Sequence, residues 1–226
     1  MIKNFFNPIK QKTMRLHYVF FGILLGLLSG CASSRLVNQW KSPDTPVFEA
    51  NKVLVIGMTA NIDSRRMFED ELVSRLEKEG VIAVKSVDFF DTSFTNAEKT
   101  EAELNAIENQ LLQAGFDAVL ISKVTGSEDR TTLVGSINAF RNEIGSFREY
   151  YYENQQIYSE AQQPSSYKVY HTETSLFCIC PGKERELLWK GMIDVIDPQR
   201  AGRAVADYAR ILMKEMAQQQ MLLVAN

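Results

Sequence analysis

The chain has 226 residues, 45% of them hydrophobic and 23% charged, with 25 basic and 28 acidic side chains. That balance fits one well-filled globular domain and excludes general disorder. Lys3, Lys10, Lys12 and Arg15 precede residue 30, leaving 21 basic against 28 acidic residues, a net charge of about −7. With no basic run in that remainder, nucleic acid is set aside as a partner.

In chain order, the first element is an unbroken apolar run of about ten residues, Val19 to Leu28, behind Lys10, Lys12 and Arg15. A basic start, a short apolar core and the small residues Ser29 and Gly30 predict a secretory signal over 1–30. The core is too short for a bilayer span, which takes roughly 20 apolar residues. Met14 is a second candidate start, because Met14-Arg15 alone gives a charged leader. Leu28-Ser29-Gly30-Cys31 resembles a bacterial lipobox. The resemblance implies cleavage between Gly30 and Cys31, acylation of Cys31 with palmitate-type chains, and a membrane anchor. Ala32 in place of an aspartate after the cysteine implies the outer membrane, on its periplasmic side.

Residues 31–51 read as the lipidated N-terminus and a tether, with Pro43, Pro46 and a candidate edge strand around Leu36–Trp40. Residues 52–226 read as a single α/β domain. Lys52 to Met58 is a β-branched apolar run, the pattern of a strand buried on both faces. Asn61 to Glu79 predicts a helix, with Asp63 as N-cap, Phe68, Leu72 and Leu76 inward, and Gly80 at its end. Val81 to Ser86 is a second strand. Thr95-Asn96-Ala97-Glu98 has the capping-box pattern, opening a helix with Leu104, Ile107, Leu111 and Leu112 buried and Gly115 after it. Ala118 to Val124 is a third strand.

Short connections between these elements predict parallel strands with right-handed crossovers. Ser166–Ile179 and Glu186–Val195 then predict an antiparallel hairpin, with Leu187, Trp189, Ile193 and Val195 on one face. Asp197-Pro198 starts a last helix, with Val205, Tyr208, Leu212 and Met216 inward. The expected fold is α/β: a mixed β-sheet, a parallel βαβαβ half followed by the hairpin, packed by about three helices.

An insertion at about 126–165 breaks the pattern. Six of the eight tyrosines lie between Tyr150 and Tyr170, and Phe140, Ile144, Phe147 and Tyr151 fall at helical spacing. Two readings stand side by side. Phe140, Phe147, Tyr150, Tyr151, Tyr152 and Tyr158 form an aromatic partner surface, or the segment packs onto the sheet as an extra hairpin or helix.

Little in the chain offers chemistry. His171 is the one histidine after the signal and lies in a strand pattern, with no Gly-x-Ser-x-Gly element anywhere. Asp88 and Asp91 flank Phe89-Phe90 beyond the second strand, where open α/β sheets bind ligands. Glu69-Asp70-Glu71 reads as a solvated helix face. The turn Gly57 to Asn61 enters a helix N-terminus, which can hold an anion, but lacks the glycines of a nucleotide loop. Cys178 and Cys180 are a candidate tight bridge, a redox or metal pair, or two small residues ending a strand. They are too few for a structural zinc site. No metal or cofactor is expected, and the chain reads as a non-enzyme.

Several segments resemble small bacterial lipoproteins of uncharacterised function: Val37-Asn38-Gln39-Trp40-Lys41-Ser42-Pro43, then Arg65-Arg66-Met67-Phe68-Glu69-Asp70-Glu71-Leu72, then Gly115 to Leu120. Glu173 to Phe177 and Leu187-Leu188-Trp189-Lys190-Gly191 resemble their final hairpin. Phe177 to Gly182, with its two cysteines, departs from their pattern. The resemblance implies a fold similar to the N-terminal domain of TolB and to envelope assembly lipoproteins. The anchor, the absence of catalytic groups and the aromatic insertion together predict a protein that binds or scaffolds another envelope component, with another envelope protein as the expected partner. The alternatives are a carrier or sensor of a small amphiphile, and a hydrolase built on His171 or on Asp88 and Asp91.

Overall fold

The computed structural model describes residues 34–91, 93–129, 146–155, 168–179, 186–196 and 201–223, all within one compact unit, Ser33–Asn226. Gly30, Cys31, Phe140, Ile144, Tyr158, Cys180 and the Asp197-Pro198 helix start lie outside them. Among the described residues eight strands run in chain order: β1 Ser34–Lys41, β2 Phe48–Glu49, β3 Lys52–Met58, β4 Ile82–Lys85, β5 Ala118–Asp129, β6 Lys168–Cys178, β7 Leu187–Ile196 and β8 Met221–Leu223. The helices are α1 Ile62–Lys78, α2 Ser86–Phe89, α3 Glu101–Gln113, α4 Phe147–Asn154 and α5 Ala201–Gln218.

Six strands form one mixed sheet in the order β1-β7-β6-β5-β3-β4. β4, β3 and β5 are parallel, and β5, β6, β7 and β1 alternate. β2 and β8 make a separate parallel pair. The expected mixed sheet is present, and the candidate edge strand around Leu36–Trp40 is β1, at one edge of it beside β7.

Both faces of β3 are covered, as its continuous apolar run requires. Val53 and Val55 pack with Leu72 and Leu76 of α1 and with Tyr208, Leu212 and Met216 of α5. Leu54, Ile56 and Met58 pack on the other face with Leu104 and Leu111 of α3 and with Phe147, Tyr150 and Tyr151 of α4. The segment that lacks an element in the sequence pattern therefore contributes the end of β5 and a core helix. A capping box between Ser146 and Glu149 starts that helix.

Several local expectations shift. α1 is capped by Asn61, whose side chain accepts from Ser64 N–H, not by Asp63. The capping box of α3 is Thr100 with Glu103, five residues beyond Thr95. Leu187 packs with Phe177 and Ile179, away from Trp189, Ile193 and Val195. The pairing of β6 with β7 slips between Leu176 and Phe177, and a one-residue slip moves a side chain to the other face.

The resemblance motifs are structural. Trp189 lies over Gly191, where a Cβ would stand 2.1 Å from the indole, and its Nε1–H donates to Gln39 Oε1 of β1. Asp117 accepts from the backbone N–H of Asn51 and Lys52, fixing the entry of β3. Lys41 Nζ reaches the carbonyls of Pro46 and Gln219, at 2.5 and 2.6 Å.

Candidate functional site

β3 leads into α1 on one face of the sheet, while the chain returns through α3 on the opposite face before entering β5. In open α/β sheets, ligands bind where such connections diverge, beyond the carboxyl ends of the strands. A cavity of about 270 Å3 lies there, lined by Gly57, Met58 and Thr59 after β3 and by Ser122 and Val124 of β5. Thr172 and Tyr170 of β6, Val195 of β7 and one side each of α1 and α5 complete it.

The turn that opens the cavity is held by an internal clamp. Glu69 is fully buried, and its Oε1 accepts from Gly57 N–H at 2.9 Å and from Arg65 Nε at 3.0 Å. Ser86 Oγ donates to the same oxygen and accepts from Arg65 Nη2, and Val87 N–H donates to Oε2. This corrects the solvated reading of Glu69-Asp70-Glu71: the first of the three ties β3, α1 and α2 together. A side chain at Gly57 would meet Phe68 at 3.0 Å, so the missing Cβ lets α1 approach the strand.

Exposure grades across the cavity. Ser64, Met67 and Ala201 are exposed at its rim, whereas Met58, Ser122, Thr172, Ala204 and Tyr208 are buried. Behind this floor, Thr174 Oγ1 lies 2.7 Å from Ser122 Oγ and also meets the Tyr208 hydroxyl. Burial holds the Tyr208 phenol above its ordinary pKa, although Ser122, Thr174 and Thr172 pull the other way. Phe68 packs on the Tyr208 ring with centroids 5.4 Å apart. The floor is thus neutral and hydroxyl-bearing, and much of the wall is apolar.

The opposite face of the same strands carries a buried ionic cluster. Glu173 Oε1 accepts from the Tyr150 hydroxyl at 2.6 Å and lies 3.5 and 3.4 Å from Lys123 and Lys190 Nζ. Both ammonium groups also stand over the Tyr150 ring. Beside them, His171 Nδ1 is 2.7 Å from Asp194 Oδ1, and Arg35 of β1 binds Asp194 Oδ2 at 3.1 Å. Alternation along β6 separates the hydroxyls at 172 and 174 from the ionisable groups at 171 and 173.

The sequence candidates scatter. Phe147, Tyr150 and Tyr151 are 2–5% exposed core residues, which removes them from a partner surface; Tyr152, 54% exposed, is the described member left on it. Asp88 pairs with Lys85 at 2.9 Å, and Lys85 also holds Asp70. Those two carboxylates push the Lys85 pKa up to about 12. Asp91 accepts from the backbone and hydroxyl of Ser93 instead, which lowers its pKa. Asp88 and Asp91 are therefore separately engaged, and no acid–base pair forms from them. Cys178 is disulfide-bonded. Among the described residues no cluster of three potential metal ligands occurs, and no helix is long and apolar enough to cross a membrane.

The cavity itself escaped sequence reasoning. Its signals were the hydroxyls Ser122, Thr172 and Thr174 at inward strand positions and Tyr208 on the last helix, which are ordinary residues until the strands are placed side by side.

No protein-family model and no curated protein matches the chain. Among solved structures it is similar to the PelC dodecamer from Paraburkholderia phytofirmans, at 12% identity over 83% of this chain and 98% of that one, TM-score 0.43. It is also similar to lipoprotein GNA1162 from Neisseria meningitidis, at 16% identity over 74% and 98% of the two chains, TM-score 0.37. A DUF4136 family protein from Bacteroides thetaiotaomicron is similar at 8% identity over 84% and 98%, TM-score 0.39. These are likenesses of general outline.

Proposed function

We propose that this protein is a non-enzymatic lipoprotein of the bacterial envelope, held by acyl chains on Cys31 at the periplasmic side of the outer membrane. Its α/β domain binds or scaffolds another envelope component. The observation that carries this reading is Leu28-Ser29-Gly30-Cys31 directly behind a ten-residue apolar core. Two or three acyl chains, at about 0.8 kcal/mol per buried methylene, make such an anchor effectively permanent. The motif resemblance to small bacterial lipoproteins, and the fold it implies, one that presents a sheet edge or helix face to partners, support a scaffolding role. The engaged states of Asp88, Asp91 and His171 offer no support for a hydrolase.

The test is Cys31→Ala in cells, read by labelled palmitate incorporation and by the mass of the mature chain. The variant should accumulate as unlabelled precursor. A normally processed, fully complementing variant would overturn the anchor. Photo-crosslinking from Tyr152 then reports the partner: a discrete protein adduct supports scaffolding, and adducts to lipid alone refute it at this surface.

A second reading, a carrier or sensor of a small amphiphile, is favoured by the cavity between α1 and α5.

A further inference from the structure

We propose that the cavity beyond β3 and β5 binds a neutral amphiphile drawn from the membrane, one with an uncharged hydroxyl or carbonyl head and an apolar body of about ten non-hydrogen atoms. The inference rests on the carrier reading and narrows it to a ligand class.

Size sets the first limit. An apolar cavity of about 150 Å3 holds benzene, so about 270 Å3 accommodates roughly ten non-hydrogen atoms. Two-chain phospholipids and whole long acyl chains are too large to be enclosed by it. Polarity sets the second. Ser122 and Tyr208 line the floor, each with one donor, and both meet the buried hydroxyl of Thr174 behind it; these contacts leave acceptor lone pairs of Ser122 and Tyr208 for one ligand hydroxyl, or release one donor to a carbonyl.

Charge sets the third limit. Among the described residues, Lys123 is the one charged residue lining the cavity. Its ammonium lies on the other face of the sheet, beside Glu173 and over Tyr150. A carboxylate or phosphate at the floor would lose its water without gaining a counter-ion, which costs far more than a neutral head does.

The source follows from the chain itself. Ser34, the first residue of β1, pairs with Val195, which lines the cavity. Cys31 is three residues before Ser34, a reach of at most about 11 Å. A lipid anchor on Cys31 therefore holds this end of the sheet near the membrane surface. Met67, 40% exposed, and Ile62, 49% exposed, add apolar area on the first turns of α1, where Met67 forms part of the rim.

The experiment uses the full lipidated chain in vesicles of phosphatidylethanolamine and phosphatidylglycerol. It is photolabelled with a diazirine derivative of 1-octanol, and the adducts are mapped by mass spectrometry. Labelling should concentrate on Phe68, Met67 and Tyr208. Unlabelled 1-octanol should compete at least about tenfold better than octanoate at a pH where octanoate is ionised. Val205→Phe, which fills the half-buried α5 wall, should abolish the cavity adducts. Met67→Lys, at an exposed rim position that does not challenge the fold, should reduce them severalfold.

Preferential competition by octanoate overturns the neutral class while leaving a carrier in place. Adducts spread over the surface, or unchanged in both variants, overturn the ligand class and the carrier reading together. Neither result bears on the palmitate test of Cys31.

Discussion

The backbone N–H of Gly57 donates to Glu69 Oε1 across 2.9 Å, joining the last turn of a buried strand to a carboxylate one helix away. That bond sets where α1 leaves the sheet, and with it one wall of the cavity. Arg65 and Ser86 complete the shell, so the charge on Glu69 is matched by a guanidinium and by fixed donors.

Removing that charge should cost more than its bonds suggest. Glu69→Gln leaves Arg65, only 5% exposed, without its buried carboxylate, and breaking a buried pair from one side costs about 3–5 kcal/mol. Urea unfolding of the variant should show that loss. Replacing Arg65 and Glu69 together by Met and Leu should cost less than Glu69→Gln alone. A Glu69→Gln loss below about 1 kcal/mol would show that the pair is solvated after all.

Gly191 is constrained by its neighbour rather than by its own backbone. Gly191→Ala places a methyl against the Trp189 indole, and overpacking of this kind costs about 1–3 kcal/mol. The change should also shift tryptophan fluorescence, because Trp189 must leave the Gln39 side of β1. Gly191→Ala with Trp189→Leu should be no less stable than Trp189→Leu alone, which a matched pair of unfolding curves will check.

The buried phenol gives a pH dependence of defined sign. Burial raises the Tyr208 pKa in the folded chain, so the folded state keeps a proton that the unfolded chain loses near pH 10. The stabilisation is complete below about pH 10 and declines as pH rises through that value toward the folded pKa. Tyr208→Phe should lose about 1 kcal/mol near neutral pH, with the bond to Thr174. Above pH 10 it should fall less steeply than the parent chain. Parallel alkaline slopes would refute the assignment.

The fold was legible where one force dominated. Lys52 to Met58 is apolar on both faces, and a strand with helices above and below is the arrangement that buries all of it. Two capping patterns compete before α3, Thr95 with Glu98 and Thr100 with Glu103, and the second wins by adjoining the first buried leucine, Leu104. Arg65 and Glu69 look like any exposed i,i+4 pair, since their burial comes from Ser86, seventeen residues beyond Glu69. Leu187 changed faces through a slip in register that no alternation pattern announces. The cavity was illegible for the same reason as the clamp: its floor joins β5, β6 and α5, which meet only in the folded chain.

β1 also has a temporal meaning. Arg35 pairs with Asp194, 159 positions later, so β1 has no β7 to pair with until almost the whole chain has been synthesised. Until then that edge stays open and the sheet stays incomplete, and a long closing distance of this kind makes folding slow. Under the envelope reading proposed above, slow closure would keep the polypeptide in the extended state that secretion requires, and the sheet would close beside the anchored end of the chain.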